Sequence, residues 1–394
     1  MRYKYTWIFL AVITVVIIYW IFFHSSVTGN QSNPSSGVSL SDVLGNTDTI
    51  GFKRAVKPGN FVFPADYGPH PDFKTEWWYY TGNLDTRDGR HFGYELTFFR
   101  IAASPDSVRS QSDWATNQFY MAHFTVTDVR NRKFYDYQRF SRAALQLAGA
   151  QANPYNVWLY DWRVMGGDKH ADTVYVQAAD SGISIDLKLL ASKPPVLEGN
   201  HGLSQKGTRP GNASYYFSVP RLHTQGTVGI HGQKYSVIGN SWMDREWSTS
   251  MLEEDLSGWD WFSLQLDNGW DLMYYQLRKI DGQPASTSDG SLIDPQGKKT
   301  NLPFGTVQLV TTGTWRSPTD DATYPSGWKL TIPKKKTDLV ITPYIPNQEL
   351  TTSVRYWEGC VQIKGIMNGK QVDGSGYVEL TGYAAGPKTV ELNR

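Results

Sequence analysis

Beyond Pro58 the chain alternates apolar and polar residues with a period of two. Ile183, Ile185, Leu187 and Leu189 are separated by Ser184, Asp186 and Lys188, and Val174, Val176 and Ala178 by Tyr175 and Gln177. Phe262, Leu264 and Leu266 alternate with Ser263 and Gln265, and Val361 and Ile363 with Gln362 and Lys364. This period predicts strands with one face on a core and the other outside. Between them lie Asp88-Gly89, Asn268-Gly269, Asp281-Gly282 and Asn368-Gly369, dipeptides that favour tight hairpin turns. No amphipathic stretch predicts a helix longer than about two turns; residues 141–150 are the best short candidate. Residues 279–302 and 316–326 read as long polar loops.

The pattern also repeats. Residues 77–100 and 259–278 each carry paired aromatics, then Leu-Asp, then a turn ending in Gly, then an aromatic-rich strand closed by Arg. The turn glycines, Gly89 and Gly269, lie 180 residues apart (269 − 89), about one barrel-sized domain. Two such hairpins predict two related domains. So many antiparallel strands must hide their edges, and closure into a barrel does so. The expected fold class is all-β, two tandem antiparallel barrels over residues 58–248 and 249–394.

The N-terminus departs from this pattern. Residues 7–23 are seventeen uncharged, mostly apolar residues behind Arg2 and Lys4. As a helix they span about 26 Å, near the hydrocarbon thickness of a bilayer. The basic flank predicts that the rest of the chain is exported. The run is long for a signal peptide, and Tyr19, Trp20, Phe22 and Phe23 crowd its far end as an interfacial belt would. Residues 1–24 are thus expected to be a transmembrane anchor, the alternative being a cleaved signal peptide, and residues 25–57 a flexible spacer. The expected location is the periplasmic or extracellular face of the cytoplasmic membrane, anchored by a single pass; the alternative is secretion.

Composition removes several function classes. With 38 basic and 37 acidic residues there is no electrostatic case for nucleic acid as a partner. The single cysteine, Cys360, allows neither an intramolecular disulfide nor a Cys-based metal site, and is expected to be buried packing. No G-x-S-x-G elbow, H-E-x-x-H motif, P-loop or dinucleotide fingerprint occurs. A serine or metallo-hydrolase would lack its nucleophile or metal; no cofactor is expected.

Several segments resemble a known superfamily. They are Pro64-Ala-Asp-Tyr-Gly-Pro-His-Pro, Thr75-Glu-Trp-Trp-Tyr-Tyr-Thr-Gly-Asn-Leu, Ala122-His-Phe, Ser214-Tyr-Tyr-Phe-Ser, Gly239-Asn-Ser-Trp-Met-Asp-Arg-Glu-Trp-Ser, Tyr356-Trp-Glu-Gly and Gly376-Tyr-Val-Glu-Leu-Thr-Gly-Tyr. Together they resemble the AttH-like and carotenoid 1,2-hydratase (hydroxyneurosporene synthase) superfamily over about residues 58–392. The resemblance implies two lipocalin-like domains. It also implies a predicted secreted hydrolase branch and, among the enzymes, cofactor-free addition of water to an isoprenoid double bond. Relatives that accompany lipoprotein-release-type transporters imply a possible transporter partner. Arg245 stands where the hydratase pattern has His, and Glu246 where it has Asn, so the sequence looks closer to the AttH-like branch.

The residues themselves offer a chemistry. On a strand Trp242, Asp244 and Glu246 point one way, and Met243, Arg245 and Trp247 the other. Two carboxylates on one face beside a Trp repel each other, which raises one pKa. A carboxylic acid so raised can protonate an alkene while its partner orients water. The plainer reading pairs them with Arg245, Arg100 or Arg278. Glu76, against Trp77 and Trp78, and His123 are the other catalytic candidates, with core packing and a satisfied buried histidine as their plainer readings. Trp77, Trp78, Tyr80, Trp242, Tyr216, Trp247 and Trp261 are the candidate ligand wall.

Three functions follow as expectations. The first is binding of an apolar small molecule, an isoprenoid or a lipid, in a lipocalin-like barrel linked to envelope transport. The second is a cofactor-free hydratase or lyase. The third is a structural or protein-binding envelope module. A cavity is expected at the seam between the domains or in the first barrel.

Overall fold

The structure is a computed structural model that describes residues 49–106, 110–167, 171–249 and 252–384, with the backbone of the strand Val38–Ser39. Residues 7–23 lie outside the described residues. Among the described ones no helix is long and apolar enough to cross a membrane.

The described residues are all-β, with two short 3-10 turns at Ala65–Tyr67 and Pro333–Lys335. Their strands fall into two large, mainly antiparallel sheets and one two-stranded sheet of Thr314–Arg316 and Thr323–Pro325. The main strands of the first run from Thr75–Asp85 to Gln233–Ser248, and those of the second from Leu256–Leu266 to Lys370–Leu380. In the first sheet, Lys133–Arg142 and Ala148–Ala152 form the two edges. Arg139 of one edge strand pairs with Asp161 and Asp180 beyond the other, so the sheet is nearly closed on itself. The second sheet is not closed, which corrects the expectation of two barrels. Its edges are the short strands Lys299–Asn301 and Gln308–Thr311, which do not pair with each other.

The alternating segments form strands as read. Ile183–Ala191 pairs with Thr173–Asp180 on one side and Ala213–Ile230 on the other, and its Ile183, Ile185, Leu187 and Leu189 are buried. Asn368 and Gly369 both take positive φ, 51° and 78°, and close a two-residue hairpin between Val354–Met367 and Lys370–Leu380. The two similar segments are the two hairpins Thr75–Asp85/His91–Ala102 and Leu256–Leu266/Asp271–Lys279.

Two local expectations fail. Residues 141–150 are not helical: they end one strand, turn through Leu145 and Gln146 at positive φ, and begin the next. The apolar residues there serve neighbouring strands, so helical spacing was accidental. The polar segment 279–302 holds Asp289–Ile293, which extends the second sheet beside Asp271–Lys279, and segment 316–326 holds Thr323–Pro325. Each carries buried apolar residues, among them Leu292, Ile293 and Tyr324, but is too short to show a period of two.

The interior of the first sheet is filled by its largest apolar cluster, including Trp78, Tyr80, Trp162 and Trp247. The second sheet has its own core around Trp328 and Trp357. A third cluster lies at the seam, with Tyr79, Tyr216 and Trp242 from one sheet and Trp261, Tyr275 and Tyr377 from the other. Polar contacts also cross it: Asn83 Nδ2 donates to the Gly376 carbonyl at 3.0 Å, and Gln265 Nε2 to the carbonyls of Pro220 at 2.8 Å and Ser241 at 3.0 Å. At Gly93 the sheets touch so closely that a Cβ would lie 2.6 Å from Cys360, so only glycine fits there.

Candidate functional site: a carboxyl-rich cleft at the seam

The strand Thr75–Asp85 lies between Gln233–Ser248 and His91–Ala102, with Trp78 opposite Arg245 and Glu76 opposite both Trp247 and Arg100. Alternation sends its side chains to two faces. Glu76, Trp78 and Tyr80 enter the first sheet's interior with Arg245 and Trp247. Trp77 and Tyr79 face the seam with Asp244 and Glu246.

On the interior face Glu76 accepts hydrogen bonds from Arg100 and Arg245 and, at 2.9 Å, from the His70 backbone N–H. The Arg245 guanidinium stacks over Trp78 at 4.0 Å, and His70 stacks on Trp247 at 3.7 Å between ring centroids. Burial pushes the Glu76 carboxyl up, but Arg245, Arg100 and His70 outweigh it and hold it well below the usual carboxylate range. Glu76 is therefore an ionised member of a buried ion cluster, not a raised acid as its Trp neighbours suggested.

On the seam face a cleft opens between the sheets, with about 690 Å³ of space, part of it open to solvent. Its walls stand close together, which suits a slender or flat molecule. The first sheet supplies Trp77, Tyr79, Tyr216, Asp244 and Glu246; the second supplies Trp259, Trp261, Tyr275, Glu358 and Glu379; Lys206 adds an ammonium. The repeated hairpins thus meet here, each giving paired aromatics.

Among the described residues no guanidinium partners the carboxyls of this cleft. Asp244 Oδ1 accepts from Ser218 Oγ at 2.6 Å and Trp242 Nε1 at 2.7 Å, and Oδ2 from Tyr216 OH at 2.7 Å. Burial outweighs these three donors and raises the group to about 7, with Glu246 adding to the rise. Glu379 accepts from Trp259 Nε1 at 2.9 Å; burial first, then the charge of Glu95, push it up to about 8. Glu358 accepts from Tyr79 OH at 2.8 Å, and its other oxygen is buried without a partner. Burial and the neighbouring Glu95 and Glu379 raise it well above the ordinary value. Glu246 instead holds Lys206 at 3.1 Å and accepts from Ser214. Burial disfavours the Lys206 ammonium, but Glu246 more than restores it, and the cation lies over the rings of Tyr275 at 4.1 Å and Tyr216 at 5.2 Å.

His123 is fully buried at the same seam but outside the cleft walls. Gln138 Oε1 accepts from the Ser353 N–H at 3.1 Å, so its Nε2 must donate to His123 Nε2 at 2.8 Å. The ring proton is then on Nδ1, which donates to Tyr356 OH at 2.6 Å; that hydroxyl reaches Glu95 at 3.4 Å. Burial lowers the imidazole to about 3, so His123 is neutral and satisfied, as its plainer reading had it. Burial also raises Glu95, to about 7.

Of the sequence candidates, Asp244, Glu246, Trp77, Tyr216 and Trp261 line the cleft, and Trp242 stands behind Asp244. Trp78, Tyr80 and Trp247 sit in the first sheet's core, because strand alternation turns them inward. The expected Arg partners of Asp244 and Glu246 are elsewhere: Arg245 and Arg100 hold Glu76, and Arg278 holds Asp260. Sequence reasoning missed Glu95, Glu358, Glu379, Lys206, Tyr79 and Trp259. Glu358 and Glu379 stand in the Tyr-Trp-Glu-Gly and Gly-Tyr-Val-Glu-Leu segments, each a lone acid in an aromatic strand, which was the available signal. Among the described residues no group of three or more His, Cys, Asp or Glu is placed to hold a metal.

The fold and site define an all-β protein of two docked antiparallel sheets with an acidic, aromatic cleft between them. The chain belongs to the AttH-like family, whose model matches residues 54–383. An AttH protein of Nitrosomonas europaea is 34% identical, covering 84% of this chain and 99% of its own, with a TM-score of 0.75. Kievitone hydratase from Nectria haematococca shares the fold at 16% identity and a TM-score of 0.64, covering 88% of this chain and 98% of its own. CghA, solved with Sch210972, does so at 13% and 0.51, covering 86% and 98%. Among curated proteins no sequence matches.

Proposed function

We propose that the seam cleft binds a slender, largely apolar molecule with a carbon–carbon double bond and adds water across it, as a cofactor-free hydratase or lyase. One observation carries this reading: carboxyls with proton affinities near neutrality surround an aromatic cleft with no guanidinium to neutralise them. Desolvated acids are costly, and perturbed ones cluster where chemistry is done. Glu379, half-buried and protonated at neutral pH, gives its proton to one alkene carbon. The faces of Trp259 and Trp261 stabilise the positive charge on the other carbon. Asp244, poised at about 7, takes a proton from the attacking water, and the hydroxyl stays on the product. Kievitone hydratase has the same fold, which supports the class of reaction but not the substrate. In this reading a lipocalin-like pair of sheets uses its seam as the binding site. Residues 7–23 would hold that seam outside the cytoplasmic membrane, near the bilayer and any transporter partner.

The aromatic walls also favour a second reading, a carrier that binds an isoprenoid or lipid without turning it over. One experiment separates the two. Farnesol is titrated against the fluorescence of the cleft tryptophans, and the bound probe is then incubated in D2O and weighed by mass spectrometry. Quenching with deuterium uptake or hydration, lost in Glu379→Gln at unchanged affinity, supports the hydratase. Quenching without uptake supports the carrier. No quenching by farnesol or by any of a panel of isoprenoids and lipids rules out both.

A further inference from the structure

Behind Asp244 lies another carboxyl that the cleft chemistry does not use. Glu198 follows the short strand Val196–Leu197, and its backbone N–H donates to the Tyr216 carbonyl at 3.0 Å. The register places Val196 opposite Ser218, and Ser218 opposite Asp244, so three neighbouring strands carry one row across the seam face. Glu198 is fully buried. One carboxyl oxygen accepts from Ser291; the other, Oε1, is buried with no hydrogen-bond partner.

The flanking backbone opens to solvent. Lys299 donates to the carbonyls of Leu197 and, at 2.8 Å, Gly199, the residues on either side of Glu198. With Pro195 and Asn301 these residues wall a separate surface pocket with about 560 Å³ of space. Glu198 itself is buried, and its chain neighbours Leu197 and Gly199 line this solvent-facing opening.

We propose that Glu198 is the proton partner of Asp244, exchanging a proton with it through the Ser218 hydroxyl and releasing it on the Lys299 side. The step balances as one proton moving. Asp244 Oδ1 gives its proton to Ser218 Oγ, Ser218 gives its own to Glu198 Oε1, and Glu198 loses it to solvent; no electrons are exchanged. Because Ser218 Oγ now donates to Asp244 Oδ1, the hydroxyl must turn before relaying. Burial raises Glu198 to about 7, Lys299 and Ser291 pull it down, and Asp244 pushes it up, so the two carboxyls are matched and coupled. The other charged or titratable groups facing the pair are Tyr216 and Glu246 on the neighbouring strands, Lys206, Glu379 from the second sheet, and Asp289 beside Lys299. Lys206 is held by Glu246, and Glu379 has Trp259 as its donor.

The coupling rests on the cleft reading for its use but not for its existence, so the primary test needs no substrate. Full-length protein with ¹³C-labelled aspartate is titrated by infrared spectroscopy, following the Asp244 carboxyl by its loss in Asp244→Asn. Glu198→Gln is expected to lower the Asp244 midpoint by about one pH unit, since a carboxylate that raises it is gone. Ser291→Ala, which leaves Glu198 neutral over a wider range, should lower it less and serves if the first variant folds poorly. An unmoved midpoint in both overturns the proposal. Where wild type takes up deuterium into farnesol, Glu198→Gln should slow uptake at least tenfold with farnesol affinity unchanged; an unchanged rate also overturns it. Absence of uptake in wild type defeats the hydratase reading, and the infrared result then decides the coupling by itself.

Discussion

Two faces of one strand pair make opposite use of buried charge. Inside the first sheet, Glu76 lies between Arg100 and Arg245 with its proton affinity driven down. One residue along on either side, at the seam, Asp244 and the acids docked against it have theirs driven up. Glu76 inside the sheet and Asp244 and Glu358 at the seam are all buried, so burial alone does not set a carboxyl's state. Two guanidiniums hold Glu76 ionised; one is not enough elsewhere, for Asp260 beside Arg278 and Asp271 beside Arg221 are still raised by burial. The interior cluster is built to stay ionised and to fix the end of the sheet. The seam leaves its acids with raised proton affinities.

The largest break in this contrast should come from the interior. Glu76→Gln leaves two buried guanidiniums without a counter-charge and is expected to cost about 3–5 kcal/mol, read as a fall in the midpoint of urea unfolding. Glu379→Gln should cost far less; an equal loss would mean that the two faces are not different in kind.

Next in size is the pH dependence of stability. The seam acids have folded-state proton affinities above their unfolded ones. Their stabilisation is complete below about pH 4 and is lost as pH rises through about 7 for Asp244 and Glu95 and about 8 for Glu379, on the order of a few kcal/mol in sum. Glu76 has the opposite sign: its stabilisation is present above about pH 5 and is lost as pH falls. Urea midpoints measured from pH 4 to 9 should therefore decline on the alkaline side in wild type, and decline less in a Glu379→Gln, Asp244→Asn double variant. A wild-type profile that stays flat between about pH 5 and 8 would show that the seam acids are ordinary.

The smallest effect sharpens the contrast rather than breaking it. Tyr216→Phe removes one of three donors to Asp244 and should raise its infrared midpoint by roughly half a unit to one unit, because the lost hydrogen bond favoured the charged form. Trp261 Nε1 also loses its acceptor, at 3.1 Å, so a small loss of stability should accompany it.

Much of the architecture was legible in the chain. Strand periods, turn dipeptides and the repeated hairpin gave an all-β molecule, and the family followed from its Trp-rich segments; of the two barrels expected, one sheet is nearly closed and the other is open. Residues 242–247 were split correctly between two faces, because a period of two is a local property of the backbone. The short strands 289–293 and 323–325 were not legible, since each is too short for its alternation to show. Nor was the inward turn of Trp78, Tyr80 and Trp247 assigned, although consecutive aromatics had to divide between faces.

The sequence by itself determined which side chains on each strand share a face, and so that Asp244 and Glu246 stand together opposite Arg245. It did not determine which face would meet a guanidinium. Arg100 reaches Glu76 across a hairpin, but Glu358 and Glu379 come to the seam from more than a hundred residues beyond Asp244. Only the docking of the second sheet removes water from these acids, and desolvation is a property of what surrounds a group in space. No pattern along the chain records it.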